Sequence, residues 1–131
     1  MGEDGASAER WAADRLARLQ RSTELEIAVR HADGRTGRWT PIWVVVVDGD
    51  AFVRTWQRRR TGWYGGVLRT GTALVRTADE PLAVIVQRTG VALRDEVDAA
   101  YRAKYGAGGA RSMTTEEAVA STLRLTPAAD A

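Results

Sequence analysis

Hydrophobic and polar positions alternate from Glu24 to Arg30. Leu25, Ile27 and Val29 are apolar, while Glu24, Glu26 and Arg30 are charged, the two-residue period of a half-buried strand. Upstream the period is helical: Ala12, Leu16 and Leu19 recur at i, i+4 and i+7 beside Trp11, predicting an amphipathic helix over residues 8–20 with Ser7 as its N-cap. Downstream, Pro41 to Val47 is a continuous apolar run and predicts a second strand buried on both faces. Asp48-Gly49 then signals a two-residue hairpin. In the third strand Ala51, Val53 and Thr55 share one side, and Phe52, Arg54 and Trp56 share the other. An arginine between two large aromatics suits a face turned to a ligand or a second subunit better than a core.

The remaining pattern predicts a short helix over Trp63–Leu68 ending near Gly71, strands at Thr72–Thr77 and Leu82–Gln87, and a helix over Leu93–Tyr105 closed by Gly106. "AGGARS" reads as a loop. Thr114 with Glu117 reads as a capping box that opens a last helix running into "STLRLTP". Antiparallel hairpins flanked by helices predict an α+β domain around a small antiparallel β-barrel. With 131 residues a single domain is expected: an N-terminal helix in 1–22, a barrel core in 23–90, and C-terminal helices and tail in 91–131.

Composition narrows the chemistry. Cysteine is absent, which removes disulfides, thiol nucleophiles and thiolate metal sites, and His31 is the only histidine. No metal site is expected, and His31, next to a turn, reads as a solvated residue. Any difficult chemical step then falls to a cofactor or to the substrate. No apolar run is long enough for a membrane span, and the acidic start "MGEDGASAER" lacks the apolar segment of a secretory signal, so a soluble cytoplasmic protein is expected.

Charge changes the picture locally. The net charge is only +2, yet Ala51 to Arg69 holds Arg54, Arg58, Arg59, Arg60 and Arg69 and no acid. Gly34 to Tyr64 also contains four of the five tryptophans. Guanidinium forks bind phosphate or carboxylate in two parallel hydrogen bonds, and indole faces stack on extended rings. Arg54, Thr55, Arg58 and Arg59, walled by Trp56, Trp63 and Tyr64, therefore suggest a site for a flat aromatic anion. The acidic cluster Asp95, Glu96 and Asp98 reads as the wet face of one helix, and Tyr101 and Tyr105 as packing residues.

The stretch "GRTGRWTPIWVVVVDGDAFVRTW", the following "WY", and the later "AYRAKYG" and "STLRLTP" resemble the bacterial DUF 2255 family from about Leu25 to Pro127. More remotely, Arg35 to Tyr64 resembles the flavin-binding split-barrel superfamily of pyridoxamine phosphate oxidases and deazaflavin-dependent nitroreductases. That resemblance implies a six-stranded split barrel, a homodimer, and FMN or deazaflavin in a groove between subunits. It implies that Thr55, Arg58 and Arg59 hold the flavin phosphate, with Arg38 and Trp63 in the matching loop and short helix. Read from the residues themselves, Trp56 is a further stacking wall of the cofactor site. In a cofactor-free reaction in the same groove, Arg54 steadies developing negative charge while Tyr64 or a carboxylate moves protons. The sequence departs from the deazaflavin pattern at Thr36, where a lysine is usual, and at Gly65-Gly66, where Asn-Leu is usual. Weak, reversible cofactor binding follows from those departures.

The leading expectation is thus a flavin-type oxidoreductase acting on a small organic or natural-product substrate. The alternative is a cofactor-independent cyclase or isomerase using the same groove. A non-catalytic module binding a ligand or nucleic acid is third, carried only by the "RRR" run in a chain of small net charge.

Overall fold

The computed structural model describes residues 10–55, 62–77 and 80–128. Its elements follow in the order α1 (Ala13–Arg21), β1 (Leu25–Val29), β2 (Thr40–Ile42), β3 (Val44–Val47), β4 (Asp50–Val53), α2 (Gly62–Thr70), β5 (Thr72–Arg76), β6 (Leu82–Arg88), α3 (Arg94–Gly109), a 3-10 helix (Ala110–Met113), α4 (Glu116–Ala120) and β7 (Leu123–Pro127). Asp48 and Gly49 both take positive φ, 51° and 83°, as a type I′ hairpin turn requires. That turn sets the β3–β4 register at Val47↔Asp50 and Val44↔Val53.

The seven strands form one antiparallel sheet ordered β2-β1-β5-β6-β7-β4-β3. Its two edge strands are separated in the chain by Trp43 alone, so the sheet curls into a nearly closed barrel. The apolar run read as one strand is accordingly bent in two. Its halves contribute to opposite edges, because one straight strand cannot follow both sides of the split.

Inside the barrel lie Leu25, Ile27, Val44, Ala51, Val53, Ala73, Val75, Val84, Leu123 and Leu125, all buried. Tyr64 and Val67 of α2 belong to the same core. Gly66 lets α2 approach β1: a Cβ there would stand 2.5 Å from Val29 Cγ2. A second apolar layer lies outside β3 and β4. There Val45 and Phe52 pack beneath Val97 and Tyr101 of α3 and Met113.

Several expectations are corrected. Helix α1 begins at Ala13 with Ala12 as N-cap and no side-chain cap, while Ser7 lies outside the described residues. Trp11 precedes the helix and is buried, its Nε1 donating to Leu125 O at 2.8 Å. The cap of α4 is Thr115, whose hydroxyl accepts from Ala118 N at 3.1 Å, one residue past the expected capping box. Gly106 has the positive φ (81°) of a helix-ending glycine, but the chain turns back into helix, so "AGGARS" is helical and not a loop.

The largest correction is β7. "STLRLTP" is not a helix tail, and the barrel does not end at residue 90. Leu123–Pro127 inserts between β6 and β4 and joins the two parts of the sheet.

Candidate functional site

Arg54 leaves the end of β4 on the outer face, which α3 covers. Its side chain is fully buried. Nε donates to Thr122 Oγ1 (2.8 Å), and Nη1 donates to Asp98 Oδ1 (2.6 Å) and to Met113 O (2.6 Å). The guanidinium carbon also stands 5.5 Å from the centroid of the Tyr101 ring. Asp98 is therefore no wet-face residue. It is buried, whereas Asp95 and Glu96 of the same helix are exposed. A cation in this layer needs a nearby anion, and the helical period places Asp98 beside Val97 and Tyr101 under the helix.

Next in the chain, Thr55 is held by its backbone. Thr55 N donates to Ser121 Oγ (2.9 Å), and that hydroxyl donates to Thr55 O (3.1 Å). Trp43, at the bend between β2 and β3, stacks on Tyr105 with ring centroids 4.0 Å apart and planes within 5°. Tyr105 Oη donates to Thr23 O at 2.7 Å, and burial pushes its hydroxyl up to about 12. Tyr101 is fully buried, and burial raises its hydroxyl further still, against the opposing effect of Arg54. Neither tyrosine is poised to ionise.

Lys104 of α3 donates to Val44 O (2.7 Å) and Leu19 O (3.0 Å), tying α1 and β3 to the helix. Burial lowers its ammonium to about 8.

These supports shape one groove of about 680 Å³, within the size range of small-molecule sites. Trp43 and Trp63 line it with apolar faces. Arg38, Arg54, His31 and Glu24 bring charge or protons, and Thr40, Thr55 and Ser112 bring hydroxyls. Arg38, His31 and Glu24 are exposed at the rim, while Arg54 and Thr55 are buried.

The model of a family described as "Uncharacterized protein conserved in bacteria (DUF2255)" matches residues 15–125. The chain belongs to the DUF2255 family. Among solved structures, this DUF2255 protein is similar to the conserved hypothetical protein Rv2991 of Mycobacterium tuberculosis (TM-score 0.56, 15% identity, covering 94% of this chain and 82% of that one). Atu2129 of Agrobacterium tumefaciens, described as of unknown function, gives a TM-score of 0.58 at 17% identity. The match covers 96% of this chain and 56% of that one, so the chain spans little more than half of that relative. A "putative 5-nitroimidazole antibiotic resistance protein" of Bacteroides thetaiotaomicron gives 0.51 at 9% identity, covering 98% and 86%. At these identities the likeness is one of fold, a split-barrel-like α+β architecture. No curated protein matches the sequence.

The DUF2255 barrel gathers Arg38, Arg54, Thr55 and Trp63 of the expected site around one groove. It does not bring Tyr64 to the groove wall. Tyr64 faces the barrel core, and its hydroxyl donates to Ser121 O at 2.9 Å. Trp56, Arg58 and Arg59 lie outside the described residues. Of the face shared by Phe52 and Arg54, expected to meet a ligand or a subunit, Phe52 is covered by α3, and Arg54, though buried, borders the groove.

Sequence reasoning passed over Trp43, Glu24, His31 and Ser112 as site residues. Trp43 sits within an apolar strand pattern, and a lone histidine beside a turn carries no sequence signal of the groove it lines. In the fold His31 packs close to Gly37, where a Cβ would stand 3.4 Å from His31 Nε2. Gly66 lies in the buried α2–β1 contact, so its replacement of a longer side chain serves packing.

Proposed function

We propose that this protein binds a flat aromatic anion of the flavin mononucleotide class, weakly and reversibly, and serves as an oxidoreductase for a small organic substrate. The observation that carries this reading is the groove itself, in which Trp43 and Trp63 share walls with Arg38, Arg54 and Thr55. The donor set suits such a ligand: indole faces for stacking and an exposed guanidinium for an anionic tail. A flavin, when bound, supplies reversible electron and hydride transfer. The chain's own part is to hold the ring between aromatic walls, to fix the tail by charge, and to exclude water from the buried end near Thr55. Arg58 and Arg59 remain assigned to the phosphate on the resemblance alone, and the homodimer likewise.

Titration of the protein with flavin mononucleotide, followed by tryptophan fluorescence, tests the proposal. Saturable quenching is expected at micromolar to millimolar flavin, and its absence across that range rules the flavin reading out.

A second reading is favoured by one observation. Glu24 and His31 both line the groove, so a carboxylate and an imidazole are available to move protons without a cofactor. Under this reading the protein is a cofactor-independent cyclase or isomerase, and Tyr64, turned to the core, takes no part. Turnover that persists in protein stripped of flavin and is lost in Glu24→Gln would select it.

A further inference from the structure

Arginine carries five N–H donors on one plane. In Arg54 three are used: one on Nε toward Thr122, and two on Nη1 toward Asp98 and Met113. Nη2 is buried and has no hydrogen-bond partner among the described residues. An unpaired buried donor costs free energy, so a nitrogen left in this state marks a place where an acceptor belongs. Arg54 and the Met113 that accepts from it both line the groove, together with Thr55.

The charge of that acceptor can be deduced. Asp98 Oδ1 lies 2.6 Å from Nη1, so the positive charge of Arg54 is already balanced within its own buried layer. A carboxylate or phosphate brought to Nη2 would meet the Asp98 carboxylate at close range with little water to screen it. A neutral oxygen meets no such repulsion and still satisfies the donor. We infer that Arg54 Nη2 is the receptor for an uncharged carbonyl-type oxygen on the flat part of the ligand, and that the ligand's anionic end lies toward the exposed Arg38. This refines the expected role of Arg54, from anchor of an anion to reader of a ring carbonyl or amide. It rests on the groove being the ligand site proposed above.

The test uses the full chain and three flat tricyclic probes. Riboflavin is neutral with ring carbonyls, acridine at mildly alkaline pH is neutral with none, and anthracene-2-carboxylate is anionic. Tryptophan quenching reports entry into the groove, and the ¹⁵N–¹H signals of the Arg54 guanidinium, assigned with Arg54→Lys, report contact at Nη2. Saturating riboflavin is expected to shift the Arg54 Nη signals, and to bind at least about tenfold more tightly than acridine, the worth of one hydrogen bond. Asp98→Asn, which leaves the guanidinium charge uncompensated, is expected to tighten anthracene-2-carboxylate by about tenfold relative to riboflavin.

Quenching by riboflavin with no movement of the Arg54 signals overturns this inference and leaves the groove as the ligand site. An unchanged carboxylate-to-riboflavin ratio in a folded Asp98→Asn also overturns it. Should Asp98→Asn fail to fold, the wild-type signals decide alone. No quenching by any of the three probes removes the groove reading and this inference together.

Discussion

Arg54 and Asp98 meet at 2.6 Å beneath α3, one just past the strand that leads out of the Asp48-Gly49 hairpin and the other on a helix that begins forty residues later in the chain. Their side chains are 0% and 9% exposed, so the pair is held where water screens it little. Asp98 Oδ2 also stands 3.8 Å from Arg94 Nε, and Arg94 in turn pairs with Glu116 at 2.7 Å. The exposed Arg94–Glu116 pair keeps both groups charged, raising the arginine and lowering the carboxyl, by hydrogen bonding first and charge second. Its contribution to stability is small because solvent surrounds it.

Breaking the buried pair from one side should be far worse than removing it whole. Asp98→Ala leaves Arg54 charged and dry, and a loss of about 3–5 kcal/mol in urea unfolding is expected. The double variant Arg54→Met/Asp98→Leu should recover most of that stability. Additive losses in the double variant would show that the two residues do not act as a pair.

Sterics hold position 66 to glycine. Val29 is β-branched and cannot swing its Cγ2 aside, and a new methyl would stand 2.5 Å from it. Gly66→Ala should therefore cost about 1–3 kcal/mol, despite alanine's better helix propensity. Adding Val29→Ala should lessen the extra cost of Gly66→Ala. A thermal melt of Gly66→Ala that equals or exceeds the parent's would contradict the close approach of α2 to β1.

Lys104 predicts a pH effect. Its ammonium is lowered from 10.5 to about 8 because burial penalises the charge. Between those values the unfolded chain binds more protons than the folded one, so this group makes stability rise with pH. The gain is complete above the unfolded value and is lost as pH falls through about 8. The stability of the parent minus that of Lys104→Met should thus increase across that window. A flat difference would mean that the contacts to Leu19 O and Val44 O offset the burial.

Tyr64 and Arg38 should separate stability from binding. Tyr64→Phe removes the bond to Ser121 O and should lower stability by about 1 kcal/mol, with flavin mononucleotide affinity unchanged. Arg38→Gln should do the reverse, leaving the melt alone while weakening flavin mononucleotide by about tenfold and reducing its salt dependence. Loss of affinity in Tyr64→Phe would return that hydroxyl to the site.

The local code carried much of the fold. Leu25, Ile27 and Val29 announced β1 by alternation, Asp48-Gly49 announced the hairpin, and Gly71 and Gly106 marked turns that need positive φ. Each of these signals is decided within a few residues, by backbone sterics or by one face meeting water. The sequence by itself also determined the chemistry left open, since a chain without cysteine and with one histidine has few ways to react.

What lay beyond it depended on partners distant in the chain. Leu123 and Leu125 alternate with Arg124 as a strand should, but five residues after a helix read equally as its tail until β4 and β6 offer hydrogen bonds on both sides. Trp43 leaves the apolar run Pro41–Val47 unbroken, and only the bend of the barrel there divides it into β2 and β3. Asp98 could not be told from Asp95 and Glu96 by composition, for all three are acids on one helix. Only docking of α3 over Phe52 and Arg54 decided which carboxylate would be buried, because the burial of a charge is set by what packs against it and not by its neighbours in the chain.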